Sequence, residues 1–315
     1  ETIMVDTMKM VVKSALFQTL LMVSIEKVFG VINGKMVVIL MYHGVIEDRA
    51  DLSCWWQLPY KNFVWQMCYL KEENYNVIHL KDLIRIMNSG ESLPDRCVVL
   101  TFDDGYENNF TLAYPLLRAL KLPATIFLTT DLIGTDTLLW SDEVFLYSSL
   151  NGLAEDPNSF KNMPSTKKNE ILSHLRARFK ADAALLDTHK YFKLLNWQQV
   201  DEMKASGWID FGAHSCTHEI LSQLDEPTLC YEIKNSCSRI GQLSKPVFFA
   251  FPNGRTEDYD ARAIELLRES GVACALTAQR GLNSYNQDPF DMKRIAIGNK
   301  TSQAEFKLLC SGAIE

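Results

Sequence analysis

Cys97-Val98-Val99-Leu100-Thr101-Phe102-Asp103-Asp104-Gly105-Tyr106 is the stretch on which the reading of the fold turns. Cys97–Phe102 is a short apolar, β-branched run, the pattern of a buried strand. It stops at two adjacent carboxylates and a glycine, so a buried strand delivers a polar loop. The same arrangement recurs on both sides. Lys35–Met41 (KMVVILM) leads into Tyr42-His43-Gly44, and Ala124–Thr129 (ATIFLT) is a further strand. Ile209–Ala213 leads into His214-Ser215-Cys216-Thr217-His218, and Pro246–Phe251 runs into Pro252-Asn253-Gly254. Asn76–Leu80, Val272–Leu276 and Lys293–Ile297 complete the expected strands. Helical patterns fill the gaps: Tyr60–Glu73, with Phe63, Met67 and Leu70 on one face, then Lys81–Met87, Asn109–Leu120, Asn196–Ser206, Pro227–Leu243 and Asp258–Ser270. Alternation of strand and helix predicts an α/β protein with a mostly parallel sheet, either a (β/α) barrel or a doubly wound fold. The polar motifs follow strand C-termini, where the active sites of barrels are built.

The chain has 315 residues, 47% apolar and 23% charged, which is an ordinary globular composition. With 32 basic against 39 acidic side chains the formal charge is −7, which argues against a dedicated nucleic-acid binder. Eight cysteines at irregular spacing, without a CxxC pair, exclude a small disulfide scaffold and a zinc knuckle and predict mostly reduced thiols. Leu139–Ala184 is mostly helical and polar and carries Pro157 and Pro164, so a helical insertion is expected at about 135–195 within a domain spanning 35–315. Residues 1–34 read as an N-terminal amphipathic segment, with Val12, Leu16, Leu20 and Val23 at helical spacing. The apolar run between Lys13 and Lys27 is too short to span a bilayer. Docking on the protein's own body and peripheral contact with a membrane surface are both open to it. The expected location is cytoplasmic or peripheral at the membrane; because the sequence begins at Glu1 rather than Met, export stays open.

Taken singly, the motifs are ordinary turns, since Asp, Asn, Gly and Pro are turn residues. Together they point to one chemistry. His214 and His218 stand four residues apart after a strand, a spacing that can aim two imidazoles at one point. One carboxylate plus two histidines is a common ligand set for a catalytic divalent ion that keeps open positions. Such an ion acidifies water and polarises a carbonyl. A second carboxylate outside the ligand set can take the water's proton, and neighbours on a turn can point apart, so Asp103 and Asp104 can divide these tasks. Of the aromatic residues Trp55, Trp56, Tyr106, Trp140 and Phe251, Tyr106 and Trp140 flank the motifs and the cap and are the favoured platforms for a sugar ring.

Thr101–Gly105 (TFDDG), His214–His218 (HSxxH) and Phe249–Gly254 (FAFPNG), in this order, resemble the polysaccharide deacetylases with the NodB homology domain, carbohydrate esterase family 4. Met41-Tyr42-His43-Gly44-Val45 is similar to the N-terminal M-Y-H segment of the circularly permuted branch, which includes poly-N-acetylglucosamine deacetylases. The similarity runs from about Val37 to Ile297. It implies a distorted (β/α) barrel, often seven-stranded, that hydrolyses N-acetyl groups on the amino sugars of a cell-surface glycan or of its lipid-linked or nucleotide-linked precursor. By the same resemblance Asp103 is the base, and Asp104, His214 and His218 hold one divalent metal ion, usually zinc. The Pro252-Asn253 turn supplies an oxyanion donor, the backbone N–H of Asn253, and His43 is the general acid. Two departures stand out. The family's arginine-bearing R-P-P-Y-G is here Ala250-Phe251-Pro252-Asn253-Gly254, and the C-terminal L-x-H is absent, as no histidine follows His218. Arg294 is the candidate for the missing orienting arginine. The competing readings are an amidase acting on a non-sugar amide and a catalytically silent carbohydrate-binding relative.

Overall fold

The computed structural model describes residues 16–17, 36–48, 50, 52, 54–151, 160–161, 163–179 and 188–314. The segment 1–34 therefore lies outside the described residues except for Leu16 and Phe17; the latter is buried against Ala304 and Leu308. Seven strands form the frame: β1 (Met36–Tyr42), β2 (Cys97–Phe102), β3 (Ala124–Leu128), β4 (Ile209–Ala213), β5 (Val247–Ala250), β6 (Val272–Leu276) and β7 (Ile295–Ala296). β1 to β6 pair in chain order and all in parallel, with Leu40 opposite Leu100, Phe102 opposite Ile126, Phe127 opposite Gly212 and Phe249 opposite Ala275. The segment 292–297 is the seam. Met292 bridges to Leu276 of β6, while Ile295 and Ala296 pair with Leu40 and Met41 of β1. The sheet thus curls into a distorted seven-stranded barrel rather than an open doubly wound sheet.

Strand parity decides which residues see the inside. Side chains two apart share a face. In β2, Val98, Leu100 and Phe102 pack under the outer helices, whereas Cys97 and Val99 join Val37, Ile39, Phe127 and Phe248 in a second apolar cluster within the barrel. Thr101 and Asp103 continue that inner row. A Cβ on Gly212 would collide with the Phe127 ring, so glycine lets β3 and β4 pack closely here.

The outer layer contains α1 (Tyr60–Glu72), which buries Phe63, Met67 and Leu70 as their spacing predicts, and α2 (Leu80–Ser89), whose Leu80, Leu83 and Ile84 join the inner cluster. The expected strand at Asn76–Leu80 is only Asn76–Val77, because Leu80 already starts α2. α3 (Tyr114–Leu120) follows β2. α4 (Trp140–Asn151) and α5 (Ser165–Phe179) lie between β3 and β4 in sequence. α6 (Trp197–Ala205) begins in an Asn196/Gln199 capping box, and α7 (Glu226–Leu243) is capped by the Asp225 carboxylate. α8 (Ala261–Glu269) and α9 (Gln303–Ser311) complete the set. Among the described residues, no helix is long and apolar enough to cross a membrane. All eight cysteines are free, and burial pushes the thiols of Cys97, Cys216 and Cys237 up to about 12.

Candidate active site

The C-terminal ends of the strands open into a cleft of about 350 Å³, lined among others by His43, Asp103, Asp104, His214, His218 and Asn253. Each polar motif arrives on its own strand: His43 after β1, Asp103 and Asp104 after β2, His214 after β4, Asn253 after β5. Asp104 Oδ1 lies 3.4 Å from His214 Nε2 and 3.3 Å from His218 Nε2. One ligand atom from each of these buried residues lies within 4.8 Å of the others. His214 Nδ1 is 2.8 Å from the carbonyl of Ala250, to which it donates; Nε2 then keeps its lone pair for the cleft. Asp104 Oδ1 is buried without a hydrogen-bond donor. A hard–borderline donor set of one carboxylate and two imidazoles, with an orphaned buried oxygen at its focus, fits a divalent ion.

Asp103 lines the same cleft but is held by a different partner. Arg294, 1% exposed, clamps it with two parallel bonds, Nη1 to Oδ1 at 2.7 Å and Nη2 to Oδ2 at 2.8 Å. The same guanidinium donates from Nε to the Thr277 carbonyl at 2.8 Å and lies 3.4 Å from Thr101 Oγ1. Burial alone would raise the Asp103 carboxyl. The Arg294 and His214 charges outweigh it and hold the group below the usual carboxylate range. For Asp104 burial is likewise overcome, by the His214 and His218 imidazoles beside it, and its carboxyl sits well below normal. Burial would lower His214, yet the Asp103 and Asp104 carboxylates raise it. His43 is lowered, because burial outweighs the pull of the same two carboxylates. Asp142, by contrast, is pushed well above the carboxylate range, by burial first and then by the Asp104 charge. Of seven non-glycine residues with positive φ among those described, four are in these motifs: Asp104 (75°), Ser215 (61°), His218 (65°) and Asn253 (58°). Such backbone strain gathers where a side chain must be aimed. At Gly254 (φ 68°) a Cβ would sit 2.7 Å from the Ala278 nitrogen, so the Pro-Asn-Gly turn needs glycine there.

Residues 90–275, more than half of the chain, match the family model of the polysaccharide deacetylases. The chain belongs to the polysaccharide deacetylase family. YxkH of Bacillus subtilis (strain 168), a polysaccharide deacetylase by name, is 32% identical to it over 96 residues, 30% of this chain and 33% of its own. The poly-β-1,6-N-acetyl-D-glucosamine N-deacetylase of Staphylococcus epidermidis is 21% identical over 257 residues, 78% of this chain and 70% of that protein. The alignment therefore spans a third of the first relative and more of the second. Among solved structures, the Streptococcus pyogenes deacetylase PplD in complex with acetate shares the fold, with a TM-score of 0.63 at 19% identity over 88% of this chain and 98% of that one.

Within this deacetylase-family chain, the predicted Asp103, Asp104, His214, His218, His43, Asn253 and Arg294 come together, with Pro252 accepting from the Gly254 amide at 2.7 Å. The two favoured aromatic platforms line the cleft but expose little of their rings. Tyr106 is 0% exposed and its hydroxyl donates to the Asp142 carboxylate at 2.9 Å, and Trp140 is buried with its indole N–H on the His218 carbonyl at 2.8 Å. Their polar atoms are tied to the walls of the cleft they line. Trp55, 48% exposed and packed edge-on against His43, is the most exposed aromatic side chain of the cleft. Asp142, which also accepts from Trp56 Nε1 at 3.1 Å, was not legible in sequence, since it sits in the polar insertion among other acids. Lys161 and Arg255 at the cleft had no motif to mark them.

Proposed function

We propose that the protein hydrolyses N-acetyl groups on the amino sugars of a glycan, with zinc held by Asp104, His214 and His218. The observation that carries the reading is a buried carboxylate, Asp103, clamped by Arg294 beside a three-residue metal-ligand set in an open cleft. When bound, the ion would supply an acidified water and polarise the acetyl carbonyl. Asp103 is the base that takes the proton from the attacking water; the Arg294 fork keeps it ionised and fixes its direction. The Asn253 backbone N–H, at the turn facing the cleft, donates to the negative charge that develops on the acetyl oxygen. The C–N bond breaks only as its nitrogen gains a proton, and His43, which lines the same cleft, delivers it. Trp55 offers an apolar face beside this centre to a sugar ring. The relatives named for poly-β-1,6-N-acetyl-D-glucosamine support a polymer of N-acetylglucosamine as substrate over lipid-linked or nucleotide-linked forms.

Acetate release should be measured with zinc-loaded protein on β-1,6- and β-1,4-linked N-acetylglucosamine oligomers, peptidoglycan fragments and nucleotide sugars. Release from an oligomer, lost together with bound metal in the His214→Ala/His218→Ala variant, is the expected result. No release from any of them by fully metallated protein would overturn the reading in favour of a non-sugar amide or a silent binding role.

A further inference from the structure

His214 and His218 are four residues apart, yet the segment between them is not helical, so the spacing by itself does not bring their rings together. A turn with left-handed residues at Ser215 (φ 61°) and His218 (φ 65°) does so. Each such residue costs roughly 1–2 kcal/mol when it is not glycine, so the turn keeps this shape only where its surroundings over-determine it. Its carbonyls are held by the segment after β3: the Thr130 amide donates to Ser215 O at 3.1 Å and the Asp131 amide to Cys216 O at 3.0 Å. The His218 amide donates to Ser215 Oγ at 3.0 Å, and the two amides between are held by one side chain. Glu232, on α7 and 3% exposed, accepts at Oε2 from the backbone N–H groups of Cys216 (2.8 Å) and Thr217 (2.9 Å). Its Oε1 accepts from the Thr217 hydroxyl at 2.5 Å.

We infer that Glu232 is a positioning residue: by gripping the Cys216-Thr217 peptide and hydroxyl it sets the angle at which His214 and His218 meet Asp104, and with it the affinity for metal. A buried carboxylate is costly unless hydrogen-bonded, and here all three bonds come from the motif between the two imidazoles. The carboxylate and the turn therefore hold each other in place. The inference rests on the metal reading proposed above.

The test is the zinc affinity of the full chain by chelator competition, with the melting temperature of the metal-free protein measured in parallel. Glu232→Ala should weaken zinc by about 10–100-fold, the usual effect of removing a group that orients metal ligands. Glu232→Gln should recover to within several-fold of wild type, because its amide oxygen still accepts from both N–H groups while its NH₂ donates to Thr217 Oγ1. Wild-type affinity in folded Glu232→Ala, or a Gln variant as weak as the Ala variant, overturns the inference. If Glu232→Ala does not fold, Thr217→Val decides: it removes the Oε1 bond alone, and several-fold weaker zinc supports the inference while unchanged zinc overturns it. A wild-type chain that binds no divalent metal would overturn the metal reading and this inference together, whereas equal binding by all variants overturns this one only.

Discussion

Arg294→Met isolates the pairing on which the proposed base depends. Methionine keeps an unbranched side chain of related length in the barrel but removes four hydrogen-bonding contacts, two of them to the Asp103 carboxylate at 2.7 and 2.8 Å. Asp103 would be left buried without its partner. Breaking a buried ion pair from one side costs about 3–5 kcal/mol, or roughly 6–10 °C in melting temperature for a chain of this size at ~2 °C per kcal/mol. The pH dependence has a definite sign. In the wild type the Asp103 carboxyl is depressed, so its contribution to stability is present above the unfolded value near ~4 and is lost as pH falls through the folded value. In the variant, burial acts unopposed by the guanidinium and the carboxyl is raised, so the variant is relatively stable under acid and loses that stability as pH rises through the folded value. The gap between the two proteins is therefore widest near neutrality and narrows toward pH 5. Acetate release at pH 7 should fall by about 10²-fold or more, the lower end of what a positioned base contributes. In Asp103→Asn/Arg294→Met the unpaired charge is gone, so most of the melting temperature should return while activity stays lost. Thermal melts at pH 5 and 7 and steady-state kinetics decide it. A variant within ~2 °C of wild type at pH 7, or one with near-wild-type turnover, would refute the assigned role of Arg294.

Two further outcomes are expected. Trp140→Phe removes the indole N–H from the His218 carbonyl while preserving an aromatic ring under the Lys168 ammonium, so turnover should drop several-fold to tenfold with little change in melting temperature, as read by kinetics and thermal melts on the same preparation. Asp210, at the other end of the barrel, is held below the usual carboxylate range because His79 and Lys81 overcome the effect of burial; Asp210→Asn should destabilise the fold at pH 7, and the difference from wild type in urea titrations should vanish as pH falls below about 4.

Much of this protein was legible because its strands are apolar runs that end abruptly in chemistry. CVVLTF before Asp103-Asp104 and IDFGA before His214 carry both the local propensity to extend and the place where the chain must turn, and strand parity carries Asp103 onto the inner face. The parallel α/β architecture and the motif residues follow from patterns within a few neighbours. The motif order was enough to suggest the family.

Other features depend on residues far apart in sequence, and no local pattern encodes them. Arg294 stands 191 positions from Asp103, and pairs with it because the seam segment 292–297 closes the barrel between β6 and β1. The fixed orientation of Tyr106 and Trp140 was hidden for the same reason. Each looked like a free aromatic beside a motif until Asp142 and the His218 carbonyl, 36 and 78 positions away, took up their polar atoms. Glu232 reads as one acid among several on an amphipathic helix, and only the packing of that helix beside the motif turn gives its carboxylate three donors. Sequence by itself determined which residues could do the chemistry, through short-range propensity and strand parity. Tertiary structure alone decided which of them are paired, buried and aimed, because charge pairing and desolvation depend on distance in space rather than along the chain.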